Sequence, residues 1–160
     1  MMKKFGVVIL LMMAMLTVLS AQETKVYNGY KELVAAVKQE IDEVDTEGFH
    51  EKYEEGLKSR KPGYILIDVR TKDEYQAGHI PGAYLVQRGV LESHIEKEAV
   101  WEGFRHAVPQ KSDIIILYCR SGSRSALATK SLMTLGYKHV YSLNGGWNAW
   151  HEAYPKLERY

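Results

Sequence analysis

Two short runs of almost unbroken apolar residues limit what this chain can fold into. Tyr64-Ile65-Leu66-Ile67-Asp68-Val69 follows Pro62-Gly63, and Asp113-Ile114-Ile115-Ile116-Leu117-Tyr118 leads straight into Cys119. Runs of this length, rich in isoleucine and without polar alternation, suit strands buried on both faces. Such strands need helices above and below, and the flanking sequence supplies them. Apolar residues recur at helical spacing from Tyr30 to Ile41 (Leu33, Val34, Val37, Ile41), and again from Thr46 to Leu57 through Phe49 and Tyr53, with Asp45-Thr46 as the N-cap pair. After the second run, Ala126 to Leu135 is amphipathic and closed by Gly136. His139 to Leu143 reads as a further strand and Gly146 to Ala153 as a short last helix. This alternation predicts an α/β protein with a parallel sheet covered by helices on both faces.

The amino-terminal segment stands outside that pattern. Met1 to Lys4 is short and basic, Phe5 to Leu19 is uncharged and mostly apolar, and Ser20-Ala21-Gln22 offers small residues to a signal peptidase. Residues 1–21 therefore read as a signal peptide, and the mature protein is expected to be exported, to a periplasm. The competing reading is an uncleaved membrane anchor, because the uncharged stretch approaches the roughly 20 residues that span a bilayer. Cleavage after Ala21 removes Lys3 and Lys4 and no acid, turning 21 basic against 20 acidic residues into 19 against 20. A chain so near neutrality has no cationic field for sequence-independent binding to nucleic acid. The remainder is long enough to build a core without disulfide staples.

Cys119 is the single cysteine. One thiol excludes an internal disulfide and any site built from several thiolates, such as a zinc ribbon or an iron-sulfur cluster. The histidines share no spacing with carboxylates that suggests a metal site, and no metal or other cofactor is expected. A lone cysteine is commonly a small buried hydrophobe, but the residues after it, Arg120-Ser121-Gly122-Ser123-Arg124-Ser125, are not those of buried filler. The carboxyl end of a central strand is where α/β proteins place their chemistry. A helix N-terminus and two arginines beside the thiol favour the thiolate, a nucleophile. Gly122 lets the loop bend sharply, and Ser121, Ser123 and Ser125 leave backbone N–H groups free to converge on an anion. Arginines at a helix start are unfavourable unless an anion is present. A nucleophilic sulfur inside a ring of amide donors suits an anionic substrate such as thiosulfate, a phosphate ester or arsenate.

The sequence resembles the rhodanese-like sulfurtransferases, of the single-domain type. Four stretches carry the resemblance, in the family's order: Ile67-Asp68-Val69-Arg70 with Glu74-Tyr75; Ala77-Gly78-His79-Ile80-Pro81-Gly82-Ala83; Tyr118 to Ser125; and Leu143-Asn144-Gly145-Gly146-Trp147. Arg88 to Glu92 also looks like the element that follows the family's third strand. The resemblance implies a three-layer α/β/α fold around a five-stranded, mainly parallel sheet. It divides the chain into an N-terminal helical extension (22–39), a rhodanese-like domain (40–154) and a tail (155–160). It further implies ping-pong sulfur transfer: Cys119 takes sulfane sulfur from thiosulfate or a similar small anionic donor, then hands it to a thiol or cyanide. A module that passes persulfide sulfur to a partner protein is the alternative.

Loop length separates this chemistry from the cysteine phosphatases and arsenate reductase. Phosphatase loops place five residues between cysteine and arginine, whereas four, Arg120 to Ser123, separate Cys119 from Arg124. With no second cysteine, an intramolecular resolving thiol is also missing. Asp68, Arg70 and Glu74 are expected to form one ion-pair network bracing the loop, and His79 to fix the geometry of its turn. Trp147 and Trp150 are expected to pack against the last strand. The connection from about Glu92 to Gln110, with Trp101 and Phe104, is expected to pack these aromatics on the sheet; a role in donor or acceptor specificity is the alternative.

Overall fold

The computed structural model describes residues 24–59 and 62–157. The expected signal peptide, residues 1–21, and the end of the expected tail, 158–160, lie outside the described residues. In chain order the elements are α1 (Tyr30–Lys38), β1 (Asp42–Val44), α2 (Thr46–Ser59), β2 (Ile65–Asp68), α3 (Lys72–Gln76) and β3 (Tyr84–Leu85). A 3-10 turn (Arg88–Val90) follows, then α4 (Leu91–His94), α5 (Glu98–Gly103), β4 (Ile114–Tyr118), α6 (Ser123–Thr134), β5 (His139–Leu143) and α7 (Gly146–Ala153). The strands form one sheet in the order β1-β5-β4-β2-β3, and every pairing is parallel.

The two apolar runs lie side by side as β2 and β4, with Ile65 opposite Ile115 and Asp68 opposite Tyr118. Because side chains alternate along a strand, each run feeds both faces of the sheet. Ile65 and Ile67 of β2, with Ile115 and Leu117 of β4, join Leu91, Ile95, Trp101, Ala128 and Leu132 in one core. Leu66, Ile116 and Tyr118 join Phe49, Tyr53 and Trp150 in the other. The result is the expected three-layer α/β/α arrangement. Trp101 is fully buried, donates its indole N–H to the Ile95 carbonyl (2.9 Å) and meets Tyr84 and Phe104 edge-on, so the connection before β4 closes the first core beside β3.

Two helix boundaries differ from the sequence pattern. The first helix ends at Lys38 rather than Ile41: the Gln39 and Glu40 amides turn back to the Ala36 and Val37 carbonyls, and residues 42–44 leave as edge strand β1. Three residues are too few to show alternation, so the sequence gives no sign of this strand. The helix expected from Ala126 begins at Ser123, because Gly122, at φ 93°, reverses the chain at once after the cysteine loop. Ser123 to Ser125 thus belong to a helical turn and not to an open loop.

Gly145 and Gly146, at φ 74° and 57°, bring the start of α7 against the end of β4. The Trp147 amide donates to the Cys119 carbonyl (2.8 Å) and the Asn148 amide to the Arg120 carbonyl (3.0 Å). A Cβ on Gly146 would stand 2.4 Å from the Cys119 carbonyl oxygen, too close for the two backbones to keep their places. Gly146→Ala is expected to lose about 2 kcal/mol or more in urea denaturation. Gly89→Ala, whose Cβ meets nothing within 4 Å, is the control and is expected to stay within about 1 kcal/mol of the parent; equal stabilities for the two variants would contradict the close approach.

Candidate active site

Cys119 stands at the first residue past β4 with 1% of its surface exposed. Its Sγ accepts the Gly122 N–H at 3.2 Å, and the Ser125 hydroxyl lies 3.7 Å away. The Ser125 Oγ is also 3.2 Å from the Gly122 carbonyl and 2.9 Å from the Ser142 hydroxyl. Ser125 and Ser142 are both fully buried. The sulfur is therefore held by one backbone amide and faced by a buried hydroxyl pair, at the N-terminus of α6, whose first-turn amides have no carbonyl within the helix to receive them. Ser142 is absent from the sequence expectations, although a single serine within the apolar strand His139–Leu143 marks it as unusual. Arg120 and Ser121 form the exposed rim of the loop, Ser123 and Arg124 are half-buried, and Gly122 and Ser125 close the floor.

The two loop arginines differ in what they meet. Arg124 makes a forked ion pair with Glu74, Nη1 to Oε2 at 2.8 Å and Nη2 to Oε1 at 2.7 Å. Glu74 also caps α3: Thr71 accepts the Glu74 amide, and the Glu74 carboxylate accepts the Thr71 amide. The hydrogen bonds from Arg124, with those from Thr71, outweigh burial and hold the Glu74 carboxyl down at about 2. The brace therefore stays ionised at any pH suited to thiol chemistry. Hydrogen bonding to Glu74 raises the Arg124 pKa in turn, and the neighbouring Cys119 adds to that rise. Arg124 thus stands between Glu74 and the sulfur. Among the described residues no carboxylate pairs with Arg120.

Asp68, Arg70 and Glu74 do not form the single network expected from the sequence. Asp68 and Arg70 pair with each other, fully buried, through Arg70 Nε and Nη2 at 2.7–3.1 Å, and Arg70 Nη2 also donates to the Gly78 carbonyl at 2.7 Å. Glu74 is separated from this pair because it reaches forward to Arg124. The Arg70 guanidinium lies over the Trp147 ring, 4.8 Å from its centroid, and the Tyr118 ring at 5.5 Å. Burial, reinforced by the Asp68 charge, pushes the Tyr118 hydroxyl well above its ordinary pKa, so it stays protonated; its oxygen accepts the Ile80 amide at 3.2 Å. His79 stacks on Tyr75 (3.7 Å, 13°) with Nδ1 3.1 Å from the Tyr75 carbonyl, which ties the 77–83 turn to α3. Trp150 is buried, as expected, while Trp147 is half-exposed beside the loop.

The Rhodanese-like domain model matches residues 50–153. The chain is 35% identical over 88 residues to a putative thiosulfate sulfurtransferase of Schizosaccharomyces pombe mitochondria, a match over 54% of this chain and 62% of that one. It is 31% identical over 102 residues to thiosulfate sulfurtransferase GlpE of Pseudomonas entomophila, over 64% and 84% of the two chains. A Rhodopseudomonas palustris protein described as of unknown function, possible tyrosine phosphatase, superposes with a TM-score of 0.66 at 26% identity, over 83% of this chain and 96% of that one. The human single-domain sulfurtransferase TSTD1 superposes with a TM-score of 0.58 at 28% identity, over 69% and 95%. With the family model spanning more than half of the sequence, this chain belongs to the rhodanese-like domain family.

Proposed function

We propose that this chain is an exported thiosulfate sulfurtransferase that works through a persulfide on Cys119. The observation that carries the reading is the seat of the Cys119 sulfur: Sγ receives the Gly122 amide at 3.2 Å at the mouth of α6, with Arg120 exposed at the rim. The names of the relatives support the sulfur chemistry, and the basic, then apolar, then small-residue order of Met1 to Ala21 supports export.

In the first half-reaction the Cys119 thiolate attacks the outer sulfur of thiosulfate. A sulfur–sulfur bond forms to Sγ, the donor's own sulfur–sulfur bond breaks, and its electron pair leaves on sulfite. One anionic sulfur becomes another, so no proton shuttle or redox partner is required. The loop's task is electrostatic: its amides and arginines hold the dianionic donor and then the departing sulfite. In the second half-reaction a thiolate or cyanide attacks the outer persulfide sulfur and Cys119 returns as thiolate. Burial of Cys119 favours small donors, and the added sulfur projects about 2 Å beyond Sγ, where an acceptor meets it first.

The phosphatase reading suggested by the description of one structural neighbour is less well served. Only four residues separate Cys119 from Arg124, one fewer than the phosphatase loop has.

Intact-mass measurement after thiosulfate treatment is expected to show one added sulfur atom on the parent and none on Cys119→Ser, and cyanide is expected to remove it. An unchanged parent mass would sink the proposal, and a persulfide that resists cyanide and small thiols would favour the carrier that serves a partner protein. In steady-state assays Arg120→Ala is expected to raise the thiosulfate KM about threefold to tenfold with little change in kcat, the size of a partly exposed charge contact. Arg124→Ala, which also strips Glu74 of its partner, is expected to lower kcat and KM performance together; wild-type kinetics in both variants would contradict the electrostatic role of the loop.

A further inference from the structure

Lys38 is the last residue of α1, and Glu43 lies in β1, both ahead of the segment that the family model matches. Their side chains pair at 2.8 Å, about one quarter exposed. The Lys38 ammonium also reaches the Asn144 side chain (3.4 Å) in the turn after β5 and stands 3.6 Å from the place a Cβ would take on Gly122. Gly122 is the residue whose amide holds the Cys119 sulfur. The ammonium is therefore against the floor of the loop, and the Glu43 carboxylate is one ion pair behind it. A second ion pair, Lys130 to Glu40 at 2.7 Å, ties α6 to the segment after α1, and α1, with Val34 and Val37 buried, packs on α6. The extension is thus seated on the helix that begins at the catalytic loop.

A carboxylate this close to an anion site opposes anionic donors unless a cation covers it. We propose that Lys38 is a positioning and specificity-determining residue of the sulfur-transfer site. It neutralises Glu43 at the back of the loop and holds the Asn144 turn behind Gly122, and so sets how readily the loop accepts a dianion. This inference rests on the sulfurtransferase reading and adds a role for the part of the chain that lies outside the family core. Lys38 acts on the donor through charge and through Gly122, not by transferring sulfur itself.

The test compares thiosulfate kinetics of the parent, Lys38→Met, Lys38→Arg, Glu43→Gln and the double variant Lys38→Met/Glu43→Gln, at low and at high ionic strength. Lys38→Met exposes the Glu43 charge and is expected to raise KM about twofold to fivefold at low salt, the span of a partly exposed charge interaction. That rise is expected to shrink at about 1 M salt, where the screening length falls to about 3 Å. Lys38→Arg is expected to return KM close to the parent value, the double variant to recover the part of the rise that salt screens, and Glu43→Gln alone to leave it equal or lower. A rise that salt and Glu43→Gln leave untouched would overturn the charge role, as would a Lys38→Met KM equal to that of the parent. A parent that forms no persulfide overturns the underlying sulfurtransferase reading, which separates the two failures.

Discussion

The site depends on a short main-chain seam between the end of β4 and the start of α7. The Cys119 carbonyl is held by the Trp147 amide and the Arg120 carbonyl by the Asn148 amide, at 2.8 and 3.0 Å. With its own carbonyl held from behind, the Cys119 residue presents its side chain to α6, whose first turn begins four residues later. Two consecutive glycines at positive φ make the seam, and Gly146 touches the Cys119 carbonyl so closely that no side chain fits. The motif around Gly145-Gly146 therefore acts on the sulfur without contacting a substrate, by fixing the peptide that carries it.

Charge is distributed around this seam in a graded way. The Asp68–Arg70 pair is fully buried and closed on itself, with the guanidinium further spent on the Gly78 carbonyl and the Trp147 face. A buried pair of this kind contributes little net stability, but removing one partner would strand the other charge. Its place at the carboxyl end of β2 makes it a rigid floor for the 77–83 turn. The Glu74–Arg124 pair is half-exposed and links α3 to the first turn of α6, so Arg124 is aimed and partly neutralised at once. Among the described residues Arg120, exposed at the rim, pairs with no carboxylate. The proposed anion binding is local to one loop, and so fits a protein of nearly zero net charge.

Much of this was legible in the sequence, for identifiable reasons. β2 and β4 announced themselves because burial on both faces demands unbroken apolar runs, and the cysteine loop did so because arginines at a helix start are costly without an anion. β1 and β3 were silent, since strands of three and two residues are too short to show a period. Glu74 was tied to the wrong partner: its closeness in sequence to Asp68 and Arg70 suggested one network, whereas the capping box fixes its backbone on α3 and turns its carboxylate toward α6. Ser142 left a trace as the polar residue within an apolar strand. Lys38 left none, because a lysine in the last turn of a helix is ordinary and its closeness to Gly122 exists only once α1 is seated on α6.

The central claim is that the Gly122 amide at the mouth of α6 holds the sulfur on which the proposed transfer takes place. It is tested most directly by the backbone amide resonances of isotopically labelled protein recorded before and after one equivalent of thiosulfate. The account predicts that the amides of Arg120 to Ser125 move, Gly122 the most, and that the shift which survives removal of free thiosulfate by desalting is absent in Cys119→Ser. A Gly122 amide that stays in place while the protein gains a sulfur atom would contradict it.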